Sequence, residues 1–154
     1  MPLLHDLAGA GLRVTDVWDV WNSAGPYERA VPVLLSHLNR PYSDGLREGI
    51  ARALAKKGAR PIAWDPLISM LKTGALPENA AHGAMAAISA MARPSDLQTL
   101  IDLIRDCTLG SLRIYLVGNL MRSKRPEARA TLLELRDDPV LRKEIAIRLR
   151  LKRD

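Results

Sequence analysis

The chain has 154 residues, of which 47% are hydrophobic and 26% charged, with a net charge of +6. These figures allow one domain with a sizeable core and are ordinary for a soluble globular protein. A single cysteine, Cys107, excludes an internal disulfide and a multi-thiolate metal site.

Phenylalanine is absent and aromatics make up 4% of the residues, so Leu, Ile, Val, Ala and Met must fill the core. Abundant Ala and Leu with few β-branched runs favour helices. The first residues, "MPLLHDLAGAGLRV", have no basic stretch ahead of the apolar ones, and Asp6 interrupts them, so no signal peptide is expected. No apolar run approaches the roughly 18 residues that cross a bilayer. The expectation is a soluble, cytoplasmic protein without a membrane partner. The basic balance is compatible with nucleic acid or with an acidic protein surface.

In chain order, "PLLHDLAG" reads as a short helix, and "TDVWDVWN" (Thr15–Asn22) follows with Thr15 as a cap and Val17, Trp18, Val20 and Trp21 as an apolar surface. Residues 1–25 form an atypical N-terminal cap. Four helical pairs are then expected, over about 26–60, 61–93, 94–125 and 126–154. The first helices of the pairs carry "LSHL", "ISML", "IDLI" and "LLEL", which start at 35, 68, 101 and 132. The second helices end at Leu54, Ile88, Leu120 and Leu149. A spacing of about 33 residues is the signature of repeated supersecondary units.

The punctuation agrees. Pro26, Pro61, Pro94 and Pro126 each stand near the start of a first helix, where a missing N–H costs nothing. Ser43-Asp44, Ser95-Asp96 and Asp137-Asp138 stand where N-caps belong. Gly58, Gly74 and Gly110 stand where helices should stop. A helical pair this short cannot bury its own apolar side, so it must pack on its neighbours.

The segments "AVPVLLSHL" and "GLREGIARALA" resemble the HEAT/armadillo-like α-solenoids, with looser likeness over Pro26 to Arg150. The resemblance implies an all-α, right-handed HEAT-like superhelix of four to five antiparallel helical hairpins. It also implies binding of a protein partner in place of catalysis. A further likeness to small bacterial HEAT-repeat proteins, some acting as immunity proteins, implies a toxin domain as that partner.

Chemistry-bearing motifs are sparse. There is no phosphate loop and no His-Glu-x-x-His, and "AGAGL" lacks the preceding strand that a dinucleotide fingerprint needs. No cofactor or metal site is expected. His5, His37 and His82 lie far apart, and His37 reads as a helix-surface or interhelical residue. Cys107 follows Asp106 at a helix end, an environment that disfavours the thiolate. Asp137-Asp138 before Pro139 reads as a turn and cap.

Two groups remain as candidate partner-binding residues. The first is the N-terminal cluster of Asp16, Trp18, Asp19 and Trp21. It resembles the tryptophan-and-aspartate clefts of HEAT-like DNA glycosylases, but it stands in the terminal cap. There, tryptophans that seal the end of the stack and aspartates that face water are the simpler expectation.

The second group is a row on the second helices, which line the concave side of such solenoids. Seven residues before each helix end stand Arg47, Ala81, Arg113 and Arg142, and the next position holds Glu48, His82, Ile114 and Lys143. Arg47, His82, Arg113, Arg142 and Lys143 are therefore candidates for a concave basic ridge, against the plainer expectation of solvated arginines with Glu48–Arg52 as an i, i+4 pair. Charge is uneven: −2 over residues 1–25, +4 over 26–60, and a basic end with Arg148, Arg150, Lys152 and Arg153. Nucleic acid is the alternative partner, with Tyr42 and Tyr115 as the aromatic residues available for stacking. Oligomeric state is not legible.

Overall fold

The computed structural model describes residues 2–22 and 25–149, and within them every regular element is helical. Two compact units are present, Met1–Met91 and Ala92–Asp154. The first contains α1 (Pro2–Gly9), α2 (Tyr27–His37), α3 (Asp44–Ala53), α4 (Arg60–Thr73) and α5 (Glu78–Met91). The second contains α6 (Leu97–Arg105), α7 (Ile114–Arg122), α8 (Pro126–Glu134) and α9 (Arg142–Leu149). Short 3₁₀ segments occur at Val17–Asn22, Lys57–Ala59, Pro94–Asp96 and Cys107–Arg113.

The helix ends follow local chemistry. The Ser43 hydroxyl accepts from the Leu46 amide and starts α3. Pro61 and Pro126 occupy the first turns of α4 and α8. Gly74 stops α4 with φ +70°, a left-handed conformation that glycine adopts without a Cβ penalty. The stop expected at Gly58 falls earlier, because α3 ends at Ala53 and Gly58 lies within a 3₁₀ turn. Pro32 and Pro66 lie inside α2 and α4 but at exposed positions, where water can satisfy the carbonyl left without a donor.

In the first unit α1 lies on α2, α2 on both α3 and α4, and α4 on α5. The most extensive packing is α3 on α5, and the Val17–Asn22 segment also lies on α3. Leu34, Leu38, Ile50, Leu54, Leu67, Met85 and Ile88 are fully buried. In the second unit α7 packs on α6, α8 and α9, and α6 also touches α8. Its core holds Leu103, Ile104, Leu116, Val117, Leu132, Leu141 and Ile145.

Small residues set the α3–α5 approach. A Cβ on Gly83 of α5 would lie 2.6 Å from the Ala51 Cβ and 3.3 Å from the Glu48 carbonyl oxygen. The helices are therefore closer than any larger residue permits. Gly45, on the same α3, has nothing within 4 Å of its Cβ position. Gly45→Ala is expected to raise stability by up to about 1 kcal/mol through helix propensity alone. Gly83→Ala is expected to lower stability despite the same propensity gain, because packed cores yield little. Urea unfolding of the two variants checks the opposite signs.

Candidate functional site

The N-terminal 3₁₀ segment builds a concavity against α3 in the first unit. Thr15 Oγ1 donates to Asp19 Oδ2 at 3.1 Å, and the Trp18 amide donates to Asp16 Oδ1 at 3.0 Å. The two carboxylates fold their own turn, and that turn fixes which side chains face α3. Val17 and Val20 are buried, whereas Trp18 and Trp21 keep 51% and 46% of their surface exposed. The sealing expected of the tryptophans is thus done by the valines. An i, i+3 spacing puts each pair on one side of a 3₁₀ turn, and the smaller side chains fit against the helix.

Gly49 makes the seat. A Cβ there would stand 2.7 Å from Val17 Cγ1 and 3.0 Å from Trp18 Cε2. The indole of Trp18 thus rests on bare helix backbone. Beside it opens a groove of about 400 Å³, lined by Val17, Trp18, Trp21, Asn22, Gly49 and Arg52 together with Ala53 and Ala55. Its volume lies within the usual range for ligand-binding clefts, and its walls are mostly apolar. Arg52 pairs with Glu48 one turn back on α3 at 3.3 Å, the i, i+4 pair expected from the sequence.

Lys56 braces the far side. Its ammonium donates to the Trp21 carbonyl and stands 5.2 Å from the Trp21 ring centre and 4.8 Å from that of Tyr27. Tyr27 in turn donates to the Ala53 carbonyl at 2.7 Å, and burial pushes its hydroxyl above the ordinary tyrosine range. Residues from α2, the end of α3 and the following turn therefore hold Trp21 from its backbone side. Asp16, Trp18, Asp19 and Trp21, expected as one cluster, stay together on the Val17–Asn22 turn and the residues just before it. Gly49, Arg52 and Lys56 were missed. The one signal for them was a glycine in the middle of an otherwise strong helix, which costs about 1 kcal/mol unless packing requires it.

One member of the basic row is spent inside the fold. Arg113 is buried, with 2% of its surface exposed. Its Nη1 and Nη2 donate to Asp138 Oδ2 and Oδ1 at 3.0 and 3.2 Å, Nη1 also donates to the Ile104 carbonyl, and Nε to the Gly110 carbonyl. Gly110 has φ +51°, so the chain turns there and Arg113 enters the core at the junction with α7. Arg47 is half-buried and donates from Nε to the Arg40 carbonyl at 2.9 Å. His82 is half-buried on α5, and Arg142 and Lys143 are exposed in the first turn of α9. Arg150, Lys152 and Arg153 lie outside the described residues.

Asp138 plays both the expected cap and an unexpected counter-ion. Its Oδ1 accepts from the Val140 and Leu141 amides at 2.9 and 3.1 Å. Burial opposes its ionisation, but the Arg113 hydrogen bond, the two amides and the guanidinium charge together hold its carboxyl below the ordinary range.

His37 is fully buried between helices. Its Nε2 meets Asp6 Oδ2 on α1 at 2.7 Å, and its Nδ1 meets Tyr42 Oη at 2.6 Å. With a carboxylate as acceptor, Nε2 donates, and Nδ1 shares its hydrogen bond with the tyrosine hydroxyl. This chain of bonds ties α1 to α2 and to the loop before α3. Cys107 is exposed beside the end of α6. Among the described residues no three His, Cys, Asp or Glu side chains are grouped to hold a metal, and no helix is long and apolar enough to cross a membrane. Comparison with known protein families, curated proteins and solved structures found no match to this chain.

Breaking the buried Arg113–Asp138 pair by Asp138→Asn is expected to cost about 3 kcal/mol at neutral pH, since it leaves a buried charge uncompensated. The folded carboxyl titrates below its unfolded value of about 3.9. The contribution is therefore complete above that value and is lost as pH falls through the lower folded value. Chemical denaturation of wild type and variant should diverge at pH 7 and converge in strong acid.

Proposed function

We propose that this protein is a non-catalytic protein-binding module of the HEAT-like kind, and that it takes an apolar segment of its partner into the groove beside Trp18 and Trp21. The single observation that carries this reading is the pair of half-exposed tryptophans rimming one apolar groove on a bare helix. Tryptophan is among the residues that dominate binding energy at protein interfaces, and it does so from pockets that exclude water. The arrangement of helical pairs within each unit, with α2 on α4 and α3 on α5, supports the HEAT-like reading.

The chemistry of the groove supports binding over catalysis. Among the described residues, Arg52 is the one ionisable side chain lining it. Asp16 and Asp19 spend hydrogen bonds on their own turn. The His37 chain, although it joins a carboxylate, an imidazole and a hydroxyl, centres on a fully buried ring. A toxin domain neutralised by this small protein is the partner that the sequence resemblance implies. A net positive inhibitor needs a target that is acidic at the contact or is met through apolar groups, and the tryptophan groove supports the second route.

Affinity capture from the native host tests this. Wild-type protein is expected to retain a protein that Trp18→Ser/Trp21→Ser loses, with affinity falling at least about 30-fold, the scale of one interface hot spot. Both indoles are half-exposed, so the variant should keep its helical circular dichroism. Equal recovery by both proteins, or no partner for either, would contradict the reading.

A further inference from the structure

The positive charge of the chain is concentrated in the second unit. Residues 92–154 hold fourteen Lys and Arg against nine Asp and Glu, or +5, whereas residues 1–91 hold nine against eight, or +1. The acidic side chains there are largely engaged: Asp138 by Arg113, Glu134 by Arg105, Glu144 by Arg148, Asp102 by Gln98 and Asp106 by Thr108. Among the described residues, Arg122, Lys124, Arg125, Arg129, Arg142 and Lys143 have no carboxylate partner.

Two guanidiniums of this unit converge on one spot of helix backbone. Gly118 lies in α7, and the position its Cβ would take is 3.1 Å from Arg122 Nη1 and 3.8 Å from Arg148 Nη2. Arg122 comes from the last turn of α7 and Arg148 from α9. Arg148 spends its Nε on Glu144 at 2.9 Å, and its Nη2 lies toward the glycine. Glu144 offsets part of the Arg148 charge, whereas Arg122 has no carboxylate partner among the described residues. An oxyanion placed over the glycine can accept from both guanidiniums, whose donors are set in planar forks. A glycine within a helix is unfavourable by itself, and here it is what allows the guanidiniums to lie down on the helix. Tyr115 stands three residues before Gly118 and seven before Arg122, on the same side of α7. Lys124 and Arg125, both exposed, follow directly.

We infer that Arg122 and Arg148 form a phosphate-binding site over Gly118, and that its ligand is the phosphodiester backbone of a nucleic acid. Charge complementarity favours that polymer: one subsite carries two guanidiniums, and unpaired cations continue from it along the chain. This site differs from the Arg47, Arg113 and Arg142 row, because Arg113 is spent inside the core. It is also independent of the tryptophan groove, which belongs to the first unit.

Fluorescence anisotropy with a labelled DNA duplex, titrated between about 50 and 200 mM salt, tests the site, since each phosphate contact contributes about 0.9 to the log–log salt slope. The wild-type chain is expected to bind at low salt. Arg122→Ala/Arg148→Ala, which removes that one phosphate contact, should reduce the slope by about one. Lys72→Ala, which removes a charge from the first unit, serves as the control and should leave the slope near the wild-type value. Gly118→Ala separates site from fold: its melting temperature should stay level or rise, while duplex affinity falls because the methyl displaces Arg122. Absence of binding at low salt, or a full salt slope in the double arginine variant, would overturn the proposal. Displacement of the duplex by poly-glutamate as readily as by unlabelled duplex would also overturn it, and would assign the pair to an acidic protein.

Discussion

Helix α3 is bare at two places, and much of the first unit depends on that bareness. At Ala51 it meets Gly83 of α5 with no room for another methyl group. At Gly49 it receives Val17 and the edge of Trp18. A residue of ordinary size at either position would lift one neighbour away. The close approach to α5 needs no polar bond; it comes from excluded volume in a core packed to solid density. Because α3 is fixed on one side, it can present a rigid seat on another, and the N-terminal turn takes its position from that seat.

The second unit is anchored differently. A buried arginine reaches Asp138, the Ile104 carbonyl and the Gly110 carbonyl, and so links the end of α6, the 3₁₀ stretch before α7 and the turn before α9. Every donor of that kind must find a partner once water is excluded, and among the described residues no buried side-chain nitrogen or oxygen lacks one. The His37 chain follows the same rule in the first unit, joining Asp6 and Tyr42 across three segments.

Much of the helical content was legible because it is written locally. Ser43, Pro61, Gly74 and Pro126 mark helix ends through their own backbone chemistry, and the apolar spacing marks the buried sides. The short helix over "PLLHDLAG" was read correctly for the same reason. What failed was inference about direction. Placing Arg113 on an exposed ridge assumed that each second helix is turned alike. Gly110, with its positive φ, and the 3₁₀ run Cys107–Arg113 break that assumption. Likewise, "VWDVW" places four apolar side chains around one aspartate, and only the backbone turn made by Asp16 decides that the valines go in and the indoles out. Asp6 and His37 are separated by 31 positions, and no spacing rule joins them.

Gly49 seats Trp18 and so holds the groove open. A chain carrying Trp21→Phe and Trp64→Phe leaves Trp18 as the sole indole, and its fluorescence can be followed with and without Gly49→Leu. The leucine is expected to push the indole off α3, shifting its emission to longer wavelength and raising its quenching by acrylamide, while far-ultraviolet circular dichroism stays helical. Identical emission and quenching in the two proteins would mean that Trp18 does not rest on that glycine, and the groove would lose its floor.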